Sequence, residues 1–444
     1  MTERGEFETV QLNDEFTSEC VACGDFNRDG VPDVVAGPYW YEGPRFETRH
    51  RVFEPAAFDP HGYSRTTQPC FVHDFDGDGW PDVFCVVRPP GQKGNYGFHG
   101  WGDVAGWEGV WYGNPAGRDE CWTPHRALGN IANEAVAWAD VNGDGRPELV
   151  YSTREAYGYA AFDPARPEEP WVFHPISRRG DYGLQHGVGA GDISGNGRMD
   201  IVSANGWWEQ PENRPEDGTW LWHPFRFAES AADVLVYDVD GDGLNDVITV
   251  WNCHRYGLVW YRQLRNEKGE ITWQEHQILP CEPDLDSDGL RISQMHALAL
   301  GDLDGDGLTD VVAGKRHWAH GPQGDVEPDA PAVLHWFRLQ RECGGARFVP
   351  HLIHGDCGAG TQVALADLTG DGRPDVLTSS KKGTYVHFNR TAPAAGNPCS
   401  VAARSFMARA RAATCGEAPE GDGKKDSSGS LVGPEGLEPP TRGL

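Results

Sequence analysis

Methionine is scarce, with 4 in 444 residues, and no run approaches the length of about 18 apolar residues that a membrane-spanning helix needs, so membrane insertion is not expected. Basic residues are outnumbered, 38 Lys plus Arg against 67 Asp plus Glu, giving a formal charge of −29. A surface of that sign repels nucleic acid and anionic lipid, which excludes both as expected partners. Paired cysteine motifs are lacking too. The 11 cysteines are odd in number and scattered, which reads as free thiols in a reducing compartment, and Cys20 with Cys23 forms a CxxC without a second pair at zinc-finger spacing. The opening MTERGEFETV has neither a basic segment nor an apolar one, so the expected location is cytoplasmic, or secreted or periplasmic if the start is truncated.

What is abundant points elsewhere. The 57 glycines, 32 prolines and 17 tryptophans imply many tight turns between short aromatic strands, the composition of an all-β repeat protein. A nine-residue pattern, D-x-[D/N/S/T]-x-[D/N]-G-x-x-[D/E], starts at Asp25, Asp74, Asp140, Asp192, Asp238, Asp302 and Asp367, at intervals of 46 to 66 residues. Apolar runs flank each copy, which makes the motif the turn between the first two strands of a unit. Third strands follow in stretches such as GLVWYRQ and VLHWFRL, and fourth strands in stretches such as WTPHRAL and WQEHQIL. The seventh unit ends after its third strand, and FETVQL (Phe7 to Leu12) fits the fourth-strand pattern with no unit before it. The sequence therefore predicts a seven-bladed β-propeller of four-stranded blades over residues 6–390, closed by the N-terminal strand. Residues 391–444, rich in Ala, Arg, Gly, Ser and Pro, are expected to be a disordered tail.

Alternating carboxylates with glycine at the sixth place suit calcium, which takes six to eight oxygen ligands from a flexible loop. The candidate ligand sets are Asp25, Asn27, Asp29, Asp33; Asp74, Asp76, Asp78, Asp82; Asp140, Asn142, Asp144, Glu148; Asp192, Ser194, Asn196, Asp200; Asp238, Asp240, Asp242, Asp246; Asp302, Asp304, Asp306, Asp310; and Asp367, Thr369, Asp371, Asp375. Several structural Ca²⁺ ions are the expectation. The competing reading is a set of Asp-turns bonded to backbone amides. The run Asp284, Asp286, Asp288 lacks the ninth-place acid and is read as an ordinary turn.

These repeats resemble the FG-GAP or VCBS repeats of integrin-type propellers. Within them, HGVGAGDISGNGRMDIVSANGWWEQP from His186, HALALGDLDGDGLTDVVAGKRHWAHGP from His296 and GPYWYEGP from Gly37 are similar to the propeller part of aldos-2-ulose dehydratase and its bacterial relatives. That resemblance implies elimination of water from a keto-sugar such as 1,5-anhydrofructose.

The residues supply their own argument for a site. Six places before each motif stand Glu19, Gln68, Glu134, His186, Ala232, His296 and Thr361, with Asp233 and Gln362 one place later. The far ends of the second strands carry Trp207 and Trp208, His254, Lys315 with Arg316 and His317, and Lys381 with Lys382. Strands one and two are antiparallel, so both groups gather on the rim opposite the aspartate loops. For a β-elimination, His186 or His296 is the candidate base, with His320, Glu134 and Asp233 as further catalytic candidates. Lys315, or one Zn²⁺ or Mg²⁺ ion held by Glu134, His186 and His296 at the channel mouth, would stabilise the enolate oxygen. Trp207, Trp208, His254, Arg316, His317, Lys381 and Gln362 are candidates for binding a small sugar or glycan, although the two tryptophans also read as blade packing. The insertion from Pro89 to Trp111 is a candidate cap over the site. Six histidines (His50, His125, His174, His223, His276, His351) recur in the fourth strands and read as structural. The rival function is a non-catalytic calcium-binding propeller that binds glycan or protein.

Overall fold

A computed structural model describes residues 6–392 apart from 63, 65–68, 89–106, 119, 181–185, 214, 216, 285–288 and 343–344. Most of the Pro89–Trp111 insertion, Gln68, Asp286 and Asp288, and the tail from residue 393 onward lie outside the described residues. Seven sheets of four antiparallel strands make up the molecule, and six of them use consecutive strands. The seventh joins Val363–Ala366, Asp375–Ser380 and Gly383–Asn389 to the N-terminal strand Phe7–Asn13, which pairs with Gly383–Asn389 from Phe7 opposite Asn389 to Asn13 opposite Thr384. The protein is thus a seven-bladed β-propeller closed by its own N-terminus. Among the described residues no helix is long and apolar enough to cross a membrane.

The repeat motif builds each blade in the same way. Its ninth residue is buried, and in six blades its two carboxylate oxygens accept backbone N–H groups on either side of the second strand. Asp310, for example, takes Leu303 N–H at 3.1 Å and Leu339 N–H at 2.8 Å, tying the loop to the third strand. Burial pushes Asp82 and Asp310 up to about 8. The turn needs left-handed backbone at two places, met by Gly77 (φ 74) and Gly79 (φ 86) in blade two; in blade one Arg28 takes the first of them at φ 59.

The fourth-strand histidines also act structurally. His50, His125, His223, His276 and His351 stack on Trp40, Trp111, Trp207, Trp260 and Trp336 of the third strands at centroid distances of 4.0 to 4.6 Å. His174 packs on Tyr159 at 5.0 Å. Each pair joins directly opposed residues of the outer two strands, side by side on one face of the blade.

The closing blade uses a different histidine. His387, fully buried in the third strand, bonds Thr9 Oγ1 of the N-terminal strand through Nδ1 at 2.8 Å and Thr378 Oγ1 through Nε2 at 3.3 Å. Burial pushes it down to about 3. An unfolded chain protonates this imidazole near pH 6.5, while the folded one resists until about pH 3, so its contribution is complete above pH 6.5 and fades as pH falls through that window. His387→Gln keeps partners for both hydroxyls without a titrating ring. At pH 5 it should lose about 2 kcal/mol less of its neutral-pH stability than wild type does, read by denaturant unfolding at both pH values. Equal acid loss in the two proteins would show that His387 does not carry the effect.

Candidate active site at the channel mouth

The inner strands of seven blades leave a central channel. One rim is occupied by loops between the first two strands, and the opposite rim by the residues that precede the first strand and follow the second. At this second rim a guanidinium joins three blades. Arg316, only 2% exposed, donates from Nε and Nη2 to the two oxygens of Glu19 at 2.8 and 3.0 Å and from Nη1 to Glu134 Oε1 at 2.7 Å. Glu19 is fully buried. Arg316 follows the second strand of blade six, Glu19 precedes blade one and Glu134 precedes blade three, so the fork spans the channel.

The other oxygen of Glu134 faces imidazoles. Glu134 Oε2 lies 3.9 Å from His186 Nε2 and 4.0 Å from His296 Nε2. His254, from the turn after the second strand of blade five, brings its Nε2 to 2.8 Å from His186 Nε2. Side chains from blades three to six therefore meet here, and the donor atoms of His186, His254 and Cys253 lie within 4.8 Å of one another. The remaining ring nitrogens point outward: His186 Nδ1 meets Ser230 Oγ at 2.9 Å, and His296 Nδ1 donates to the Gln294 carbonyl at 3.1 Å. That bond leaves His296 Nε2, in a side chain 3% exposed, buried without a hydrogen-bond partner. Gln294 holds His254 in turn, donating to its carbonyl at 2.7 Å from a strained backbone with φ 59.

Electrostatics keep these rings neutral. Burial lowers His186, pushes His254 down to about 3 and takes His296 well below the ordinary range, with neighbouring imidazoles and Arg316 adding to the effect. For Glu134 burial acts upward, but Arg316 and the histidines outweigh it and hold the carboxyl low. Neutral imidazoles beside an ionised carboxylate present lone pairs, which is the donor chemistry of a metal centre.

Other sequence candidates sit differently. Lys315, 2% exposed, donates to Ser293 Oγ at 2.7 Å and to the carbonyls of Glu327 and Val326 at 2.8 and 3.4 Å, so its three N–H groups anchor a loop and do not address the cluster. Lys381, pulled down to about 8 by burial, donates to the Gly62 and Trp318 carbonyls, both at 2.7 Å. Trp207 and Trp208 are buried between blades, stacked on His223 and on Tyr157 and Trp222. Gln362 exchanges two bonds with the Cys70 backbone. Asp233 lies deeper, on the wall of a channel cavity of about 300 Å³ lined largely by valine, leucine and alanine. It accepts Leu298 N–H at 2.9 Å, and burial pushes it up to about 7. His317 stacks on Trp318 at 4.3 Å. His320 does reach the cluster, its ring 4.5 Å from that of His254.

On the opposite rim, carboxylate oxygens lie within 4.8 Å of one another in Asp74, Asp76, Asp78; Asp140, Asp144, Glu148; Asp238, Asp240, Asp246; and Asp302, Asp304, Asp306. These all-oxygen sets fit a hard cation. Among the described residues, the other three loops contain no such grouping of acids. Three of the four sets already hold a cationic side chain: Arg146 lies 2.9 Å from Asp144, Arg262 lies 2.5 Å from Asp240 and 3.2 Å from Asp242, and Arg338 lies 2.5 Å from Asp304 and 3.5 Å from Asp306.

The FG-GAP-like repeat family matches residues 74–151, 238–313 and 302–378. The chain carries FG-GAP-like repeats. No curated protein sequence matches it. Similar solved structures include rhamnogalacturonan lyase YesW (14% identity, 87% of this chain and 76% of that one, TM-score 0.43). They also include YCF48 from Cyanidioschyzon merolae (10% identity, 87% and 99%, TM-score 0.44) and the V. cholerae biofilm matrix protein Bap1 (12% identity, 84% and 80%, TM-score 0.33).

The FG-GAP-like repeats build the ring, and Arg316 locks its mouth. Arg316→Ala leaves Glu19 buried without its counter-charge and should cost about 3–5 kcal/mol in urea unfolding. Arg316→Lys should recover only part, because an ammonium cannot fork across two carboxylates. A cost within the error of wild type for Arg316→Ala would show the triad to be dispensable.

Proposed function

We propose that the channel mouth is the active site of a carbohydrate-active lyase that removes water from a keto-sugar, such as 1,5-anhydrofructose, by β-elimination. The observation that carries this reading is the meeting of four side chains from four blades, with Glu134 Oε2 3.9 and 4.0 Å from Nε2 of His186 and His296 and His254 Nε2 2.8 Å from that of His186, beside a solvent-facing histidine. The stretches beginning at His186 and His296, similar to aldos-2-ulose dehydratase, contribute two of those four side chains and support the substrate class.

The donor set fits Zn²⁺, which accepts imidazole nitrogen and carboxylate oxygen, and does not fit Mg²⁺, which takes oxygen. The buried orphan His296 Nε2 is the structural sign of that fit. Glu134, His186, His254 and His296 would hold the ion, which would supply Lewis acidity toward a carbonyl oxygen. The chain's own residues set the site. Arg316 keeps Glu134 ionised and fixed, while Ser230 and the Gln294 carbonyl set the direction of two rings, an orienting shell of the kind metal-ligating histidines need. The carboxylate loops on the opposite rim are, in this reading, calcium sites that stabilise the blades, and blade two's Asp74, Asp76 and Asp78 form the set with no arginine paired to it.

Zinc-loaded protein mixed with 1,5-anhydrofructose and related keto-sugars should generate a rising enone absorbance. His254→Ala should lose at least about 100-fold in rate, since loss of an outer-shell partner alone costs roughly 10–100-fold in metal affinity or activity and loss of a ligand costs more. A folded, zinc-loaded protein silent toward every keto-sugar would favour the rival, a propeller that binds glycan or protein without catalysis.

A further inference from the structure

Beside the four-donor cluster stands a pair of side chains that the cluster does not use. The loop after Arg316 turns back on itself so that Asp325 lies against His320. Asp325 Oδ1 accepts the backbone N–H of His320 at 2.7 Å and stands 3.5 Å from its Nδ1. The Asp325 side chain is fully buried, whereas that of His320 is 32% exposed. Its second oxygen, Oδ2, is buried without a hydrogen-bond partner. On the other side the His320 ring packs 4.5 Å from His254. A carboxylate thus backs an imidazole that borders both solvent and the cluster.

The loop is built to hold this arrangement. Gly321 takes φ +81, and a Cβ on Gly324 would lie 2.7 Å from both the Cβ and the carbonyl oxygen of His320, so the return requires glycine at that approach. Lys381 clamps the loop at the Trp318 carbonyl, and Trp318 Nε1 donates to Pro328 O at 3.2 Å. Lys315 clamps the carbonyls of Val326 and Glu327, directly after Asp325. Two buried lysines therefore fix both ends of the segment that carries the pair. Such fixation exceeds what a surface turn needs.

We propose that His320 is the residue that moves the proton in this site, with Asp325 as its positioning carboxylate. This rests on the elimination reading for the proton concerned. With Nδ1–H directed at Asp325, the lone pair of His320 lies on Nε2. That nitrogen takes the proton from the carbon next to the sugar carbonyl, and the C–H electron pair forms the enolate. When the enolate collapses, the bond from the β-carbon to its hydroxyl breaks with its electron pair, and the imidazolium returns the proton to the departing oxygen. One water leaves and His320 is neutral again. Nδ1 of His186 and of His296 is held by Ser230 and by the Gln294 carbonyl, and Nδ1 of His254 is buried without a hydrogen-bond partner, so none has a carboxylate behind it, which separates their role from that of His320.

Two measurements on the full-length, zinc-loaded protein test this. Two-bond ¹H–¹⁵N spectra without substrate, with His320→Gln to assign the signal, should show neutral His320 as the Nδ1–H tautomer. Asp325→Ala should shift it to Nε2–H, and Asp325→Glu should restore Nδ1–H. In turnover, His320→Ala should lose roughly 10²–10⁴-fold in kcat with KM and zinc affinity near wild type, and added imidazole should recover part of the loss. An unchanged kcat in His320→Ala, or a tautomer indifferent to Asp325→Ala, overturns the proposal. A wild type inactive on every keto-sugar overturns the elimination reading alone, because the tautomer is measured without substrate and decides the pair by itself.

Discussion

The channel mouth depends on one guanidinium. Arg316 is anchored in the backbone of blade six, its N–H donating to the Gln294 carbonyl at 2.8 Å, and its fork neutralises Glu19 of blade one and Glu134 of blade three. Burying two carboxylates and one cation this deeply costs several kcal/mol of hydration per ion, which only near-ideal geometry offsets. What the triad delivers is a Glu134 oxygen in a fixed place, ionised, facing three neutral imidazoles. That constraint orders the rest: the ring must close so that blades one, three and six meet, and closure relies on the N-terminal strand.

The two rims of the propeller illustrate how one repeat serves two ends. On the loop rim the ninth-place carboxylates bond backbone amides within their own blades, so the fold is supported locally and seven times over. Sequence spacing assigns those carboxylates to an ion shell, and in the structure their first partners are N–H groups. On the opposite rim the equivalent repeat positions diverge, and Glu19, Glu134, His186 and His296 come together there from blades one, three, four and six. Local redundancy on one side leaves the other side free to vary.

Strand order, blade number and closure were legible in the sequence because the loop motif repeats in register and a fourth strand was missing from the seventh unit. Glu134, His186 and His296 were legible for the same reason: they occupy one repeat position. His254 was visible only as a rim residue, since its place in the cluster depends on how far the turn after blade five's second strand reaches across the channel. Asp325 gave no signal, because it belongs to an insertion whose return path is set by two glycines and two buried lysines. From their place on the rim, Lys315 read as the cation that stabilises the enolate and Lys381 as a sugar contact. Their partners are backbone carbonyls, which no side-chain pattern announces.

The proposed metal centre at the channel mouth draws four side chains from four blades. Zinc-edge anomalous diffraction from crystals of the protein grown with equimolar zinc and excess calcium addresses it directly. The expected result is an anomalous peak bonded to Nε2 of His186, His254 and His296 and to Glu134, with Lys315 at a distance from it. A map with zinc absent from that point, or with the metal confined to the carboxylate loops, would contradict it.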